Sequence, residues 1–378
     1  MLLGFIRYKI NLVNRNSKAL TCCRSFSSSH RVYIPNIMGS EISVPGIPPP
    51  SKCRIVVVGP KNGDASLAEL SNLPKEARII ATGSTIDELR RDGELFTEAN
   101  VLLNITGTGA TLGPILSEMP FLTWFHSSHA GLDSAICPEL KAIPDLVVTN
   151  AKGVFSSSLA EYVMGACLYF AKDFARLDKQ REAHRWEKFD MKVLKGQTMG
   201  IVGYGDIGRA TAQIARAFGM KIVALRRNPD LSAGDPLIDQ CLGFSGLGQI
   251  MTQSDYLVCA LPLTDATRNI FNGEVFAQAK CGQVFINIGR GAVVHDESLI
   301  AALGSDGRLR GAALDVFSPE PLLETSPYWG MSNLLLSPHN ADQTETFRHD
   351  TVRFFTEQCK KFVAGEDLES VVNIMEGY

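Results

Sequence analysis

Two hydrophobic periodicities alternate along the chain: short, nearly unbroken apolar runs, and longer mixed segments able to form amphipathic helices. "RIVVVG" (54–59) opens the first series. Its β-branched run ends in Gly, the pattern of a parallel strand covered on both faces. "RIIAT", "VLLNIT", "FLTWFHS" and "DLVVTN" follow, which predicts a small α/β unit over about 52–154. A proline-free stretch, "SLAEYVMGACLYFAKDFARLDKQREAHRW", comes next. Ser158 stands three residues before Glu161, a capping-box spacing, and predicts a long helix passing from one core toward another. Six more strand-like runs then appear in "TMGIVGYG", "MKIVALRR", "DYLVCALPL", "QVFINIGRG", "GAALDVF" and "NLLLSPH", the doubly wound dinucleotide-binding pattern. The tail from 345 to 378 is amphipathic, with its clearest helix in "TVRFFTEQCKKFVAG".

Composition alters this picture mainly at the amino end. Residues 1–40 carry Arg7, Lys9, Arg15, Lys18, Arg24 and Arg31, and no acid precedes Glu41. With the serines of "RSFSSSHR", this basic, loosely amphipathic segment predicts an organelle transit peptide. A mitochondrion is favoured over a plastid, and a basic tail on a cytoplasmic protein is the alternative. "VPGIPPPSK" (44–52) reads as a stiff linker, so 1–50 stand apart from the fold. Without the six leading cations, 31 basic residues face 40 acidic ones. That acidic body argues against nucleic acid or an anionic membrane as a partner. No run of 18 apolar residues suggests a membrane span. Nine dispersed cysteines, with no CxxC pair and no Cys/His cluster, predict reduced thiols and no metal site.

"GIVGYGDIGRATAQIARAFGMKIVALRR" places Gly203, Gly205 and Gly208 as G-x-G-x-x-G between a strand and a helix. The first glycine allows a tight turn, the second a close approach of backbone to pyrophosphate, and the third close helix–strand packing. The helix N-terminus then faces the phosphates. Ile207, Ala210, Ile214 and Phe218 recur at helical spacing, and Gly219 ends the helix. Arg226 lies 21 residues beyond Gly205, where a carboxylate would meet the ribose hydroxyls of NAD, and Arg227 follows it. A guanidinium there attracts a 2′-phosphate that a carboxylate would repel, so NADPH is expected over NADH. The other reading is two solvated arginines with no effect on cofactor choice.

Three later strand ends carry reactive groups. Arg290 follows the run 284–289 between two glycines, which would let backbone and ligand come close. Asp315 ends another run, and Glu320 sits in the proline-bounded loop after it. His339 follows the run 333–337. A cation, an acid and an imidazole from consecutive strand ends suit reduction of a 2-keto acid. His339 would donate a proton to the carbonyl oxygen while hydride reaches carbon. Glu320 would hold the ring and favour the imidazolium, and Arg290 would bind the carboxylate and polarise the carbonyl.

"GYGDIG", "INIGRG", "ALDVFSPEP" and "SPHNA", in this order and spacing, resemble the D-isomer-specific 2-hydroxyacid dehydrogenases from about residue 52 to the C-terminus, glyoxylate/hydroxypyruvate reductases being the most similar kind. The resemblance implies an α/β fold of two Rossmann-like domains. A doubly wound nucleotide-binding domain (155–344) is inserted in a smaller flavodoxin-like substrate domain (52–154), to which 345–378 return. It implies Arg290, Glu320 and His339 as the catalytic triad. Cofactor contacts would come from Tyr204, Asp206 and Ile207 at the pyrophosphate, from Leu261, Pro262 and Ile288, and from Asp315 at the nicotinamide carboxamide. The "NITGTG" loop, around Thr106 and Gly107, would offer backbone to the substrate carboxylate. "SSHAGLD" (127–133) matches a second loop at the cleft; its His129, a departure from the family pattern, falls near the expected substrate cleft and is read as a bystander rather than a contributor. A homodimer through 158–185 is also implied.

One departure bears on substrate. Where the family commonly has Gly-Gly or Ala-Gly after the histidine, this chain has Ala341-Asp342. Two non-reducing readings stay open: a dinucleotide-sensing scaffold of the corepressor kind, which the transit-like segment disfavours, and a catalytically quiet paralogue. A formate dehydrogenase is disfavoured because its pattern has Gln where Glu320 stands.

Overall fold

The computed structural model describes residues 53–60, 65–91 and 94–374. The expected transit segment and proline-rich linker lie outside them. Strands β1 (Cys53–Val58), β2 (Ala77–Gly83), β3 (Val101–Asn104), β4 (Trp124–Ser127) and β5 (Val147–Asn150) form one parallel sheet in the order 2-1-3-4-5. Strands β6 (Thr198–Val202), β7 (Lys221–Leu225), β8 (Gln240–Leu242), β9 (Tyr256–Cys259), β10 (Gln283–Asn287), β11 (Leu309–Leu314) and β12 (Leu334–Leu336) form a second parallel sheet in the order 12-11-10-9-6-7-8. The first order is flavodoxin-like and the second is the Rossmann order with one strand added at its edge. Strand β8 is absent from the pattern reading: its three residues, Gln240–Leu242, are partly exposed and include a polar one, whereas the equally short β12 is the apolar run Leu334–Leu336.

The chain end completes the first core. Helix Phe347–Ala364 buries Val352, Phe355, Cys359 and Phe362 against Cys53, Ile55, Val57 and Trp124. The Trp124 ring lies 5.1 Å from Phe355 and 4.9 Å from Phe362. An antiparallel bridge from Val371 to Thr149 follows.

Two local expectations are corrected. The helix after β5 runs from Ser156 to Lys172, breaks at Asp173 in the left-handed region (φ 53°), and resumes over Phe174–Glu182. Ser158 is thus inside the first turn and caps nothing; its hydroxyl donates to Ala341 O at 2.6 Å, beside the candidate catalytic histidine. In helix Asp206–Ala217 the buried face is Gly208, Thr211, Ala212 and Ala215, while Phe218 is 40% exposed. Small residues face inward because this helix packs closely on its strand and on helix Ser156–Lys172, which leaves larger side chains to the flanks.

Strand β4 itself carries a buried histidine, His126. Thr149 Oγ1 accepts from Trp124 Nε1 at 2.8 Å and pairs with His126 Nδ1 at 2.7 Å, while His126 Nε2 has no partner. Burial pushes the His126 pKa down to about 3. The folded state therefore requires neutral His126, and stability is expected to fall as pH drops below the unfolded value near 6.5, by ~1.4 kcal/mol per pH unit until about 3. From pH 6.5 to 4.5 the parent protein is expected to lose roughly 2–3 kcal/mol more than His126→Leu in urea titrations. Parallel pH curves for the two proteins would refute this.

Candidate functional site

The glycine turn after β6 has the form a dinucleotide requires. Gly203 adopts φ 100°, and a Cβ there would lie 2.6 Å from Ala260 O. A Cβ at Gly208 would lie 2.8 Å from Gly203 O, whereas Gly205 faces open space. That opening sits at the N-terminus of helix Asp206–Ala217, whose first-turn amides have no intrahelical acceptor. The turn therefore fits a pyrophosphate. Tyr204 faces away from that opening: its ring is buried in the core, its hydroxyl donates to Asp235 Oδ2 at 3.1 Å, and its amide donates to Leu225 O at 3.1 Å. Leu261 and Ile288 are likewise buried, on opposite faces of the sheet, while Pro262 is exposed. Asp206 pairs with Lys152 of the loop after β5 at 3.2 Å.

Arg226 follows the last residue of β7. Its amide donates to Leu242 O at 3.0 Å and its Nη1 to Ser232 Oγ at 2.7 Å, so β8 and the turn Pro229–Ser232 hold it in place. Arg227 beside it is exposed. Asp230 lies within that turn, so no acidic residue stands directly at the end of β7.

At the carboxyl ends of β11 and β12 the structure brings Glu320 and His339 together, with Glu320 Oε2 2.9 Å from His339 Nδ1. The other oxygen, Oε1, accepts from Phe317 N at 2.8 Å, fixing the carboxylate. An ionised carboxylate only accepts, so this pairing places a proton on Nδ1 and leaves Nε2 to exchange protons with a ligand. His339 itself lies in the left-handed region, φ 57°. Non-glycine residues adopt that conformation only when their surroundings impose it. Here Asp315 imposes it. Its backbone oxygen accepts from His339 N at 2.8 Å, and its carboxylate Oδ1 accepts from Ser337 Oγ, Asn340 N and Ala341 N at 2.7, 2.9 and 3.1 Å. Asp315, expected at the nicotinamide, is the clamp of the histidine loop. Burial raises its pKa, against the opposing pull of Ser337, the Asn340 amide, His339 and the Ala341 amide.

Arg290 follows β10. The glycines beside it serve the protein rather than a ligand: a Cβ at Gly289 would lie 2.6 Å from Leu261 O, and one at Gly291 2.0 Å from Phe317 C. Arg290 Nη1 donates to Gly289 O at 2.8 Å, and Nε donates to Asp133 Oδ2 of the "SSHAGLD" loop at 2.7 Å. Asp133 had no expected role, since 157 positions separate the partners and no local pattern links them. The same loop carries His129, whose ring lies 6.0 Å from Phe347. Desolvation lowers the His129 pKa; Asp342 opposes this, and His339 and Arg290 reinforce it. The loops after β4 and after β10 and β12 therefore converge on one site.

The "NITGTG" loop differs from expectation. Gly107 N donates to Asn104 Oδ1 at 2.7 Å and its oxygen accepts from Asn104 Nδ2 at 3.0 Å, so its amide is not offered to a substrate. The Thr108 amide is taken by Thr111 Oγ1. Thr106 is exposed, with its own amide at 3.3 Å from Val58 O. Among the described residues there is no cluster of His, Cys and acidic side chains able to hold a metal, and no helix long and apolar enough to cross a membrane.

Comparison with known proteins agrees with this geometry. The sequence model of a family described as D-isomer specific 2-hydroxyacid dehydrogenase, NAD binding domain, matches residues 164–341. The chain is 30% identical over 329 residues to D-3-phosphoglycerate dehydrogenase of Methanocaldococcus jannaschii, a match covering 85% of this chain and 59% of that protein. It is 30% identical to glyoxylate/hydroxypyruvate reductase B of Salmonella typhi over 76% of this chain and 88% of that one. In three dimensions it is similar to an NADPH-dependent glyoxylate/hydroxypyruvate reductase from Sinorhizobium meliloti, solved with NADP and sulfate. There the TM-score is 0.72 at 25% identity, over 86% of this chain and all of that one.

Proposed function

Because the chain belongs to the D-isomer specific 2-hydroxyacid dehydrogenase family, we propose that it reduces a short 2-keto acid such as glyoxylate or hydroxypyruvate to the D-2-hydroxy acid, with NADPH as the preferred donor. The Glu320–His339 pair carries this reading: the imidazole is held through Nδ1, which leaves Nε2 for proton exchange with a substrate. When bound, the nicotinamide supplies hydride to the carbonyl carbon. His339 Nε2 gives its proton to the carbonyl oxygen, and Glu320 holds the ring by Nδ1 so that Nε2 faces the transfer. Arg290 binds the carboxylate and draws electron density toward the carbonyl oxygen. Exposed Thr106 would border the substrate, and exposed Pro262, with Asp315 behind the histidine loop, would border the nicotinamide.

The preference for NADPH rests on Arg226, held by Ser232 at the end of β7, with Arg227 beside it. Arg226→Asp is expected to lower kcat/KM for NADPH about 10²-fold while raising that for NADH, since it exchanges a charge-assisted phosphate contact for repulsion. Steady-state comparison of the two cofactors checks it, and an unchanged NADPH/NADH ratio would dismiss Arg226 as the determinant.

We also propose a homodimer. The segment beyond helix Ser156–Lys172 exposes Phe174, Leu177, Trp186, Met191 and Val193, with Trp186 95% accessible. Singly such residues are ordinary, but five in one segment suit a partner's surface. Sedimentation at micromolar concentration should give twice the chain mass, and Trp186→Glu should shift it toward the monomer. Mitochondrial residence is proposed from the basic segment alone, and import of a fusion carrying residues 1–50 tests it.

A further inference from the structure

Arg290 reaches its place only by crossing from one sheet's loops to the other's. Its plane is set by two bonds, Nε to Asp133 Oδ2 and Nη1 to its own neighbour's oxygen, Gly289 O. A guanidinium has five N–H donors in a rigid fork, so these two fix its orientation and leave three for a ligand. The floor beneath it is Gly131. A Cβ there would lie 1.5 Å from Arg290 Nη2, an overlap no adjustment of a few tenths of an ångström relieves. Gly131 is not among the glycines with positive φ, so the loop needs it for space and not for backbone freedom. The Arg290–Asp133 pair is half open to water, with the two side chains 30% and 45% accessible, and such pairs add little to stability. Orientation is what remains for it to supply.

Resting on Arg290 as the carboxylate ligand, we propose that Asp133 is a positioning residue for that arginine. With Gly131 it forms a seat that exists only when the loop 127–133 meets the loop 289–291.

The test uses the full chain with NADPH and hydroxypyruvate. Asp133→Ala is expected to raise KM for hydroxypyruvate at least tenfold, with melting temperature and NADPH affinity unchanged. Asp133→Asn, which keeps an acceptor for Nε, should recover a large part of that loss. Gly131→Ala should reproduce the Asp133→Ala effect by unseating the arginine. The decisive comparison adds Asp133→Ala to Arg290→Ala: no further loss of kcat/KM is expected, because the group being positioned is already gone. If the second substitution costs the same factor in both backgrounds, or if Asp133→Ala leaves KM unchanged, the seat is refuted. If Arg290→Ala alone leaves kcat/KM intact, the assignment of Arg290 itself fails, a result distinguishable from failure of the seat.

Discussion

His339→Asn is expected to lower kcat by about 10²–10⁴-fold, the range that a positioned proton donor supplies. Asn is chosen because position 339 is held at φ 57°, and Asn tolerates the left-handed region far better than other side chains. The loop should therefore keep its bonds to Asp315 while Glu320, still held by the Phe317 amide, loses its imidazole. NADPH affinity, measured by fluorescence, should stay within about twofold, since the glycine turn lies after a different strand. His339→Ala removes the same ring and adds roughly 1–2 kcal/mol of backbone strain, so it should also be less stable than the Asn variant. Turnover within tenfold of the parent in His339→Asn would remove this residue as the acid.

Asp315→Ala is expected to damage stability and catalysis together. The carboxylate is 1% exposed and takes the Ser337 hydroxyl and the Asn340 and Ala341 amides on one oxygen. Leaving buried donors without an acceptor costs about 1–3 kcal/mol each, with some relief where the loop can relax toward water, so a loss of about 3 kcal/mol in denaturant titration is expected. The histidine loop would then relax from its imposed conformation, and kcat should fall by about 10²-fold even in molecules that remain folded. Asp315→Asn keeps an accepting oxygen and should be markedly milder on both counts. A catalytic loss without loss of stability would instead favour a role at the nicotinamide alone.

Much of this architecture is written in local pattern. Unbroken runs such as "RIVVVG" announce strands buried on both faces, and G-x-G-x-x-G between a strand and a helix announces the turn where Gly203 bends, Gly205 opens and Gly208 packs. The pairing of Glu320 with His339 was expected because both follow strands of one sheet. Part of what escaped the sequence depends on partners far apart in it: Asp133 meets Arg290 across the two sheets, and Ser158 serves Ala341 rather than its own helix. The Gly107 amide that a substrate was expected to use goes instead to Asn104, three residues away, a side-chain turn that no apolar periodicity marks. The break at Asp173 was hidden because the stretch around it keeps helical composition on both sides. In helix Asp206–Ala217 the spaced Ile207 and Ile214 pack at the flank of the core, but the most buried positions are the small Gly208, Thr211, Ala212 and Ala215, which a search for large apolar side chains does not select.

The central claim is that this site transfers a proton and a hydride to a 2-keto acid. The most direct measurement follows NADPH oxidation by the full chain with hydroxypyruvate, quantifying the product and its handedness. Consumption of NADPH one-for-one with hydroxypyruvate, giving D-glycerate, is the predicted result. Tight NADPH binding with no oxidation across hydroxypyruvate, glyoxylate and bulkier 2-keto acids would contradict it and leave a cofactor-binding protein without this chemistry.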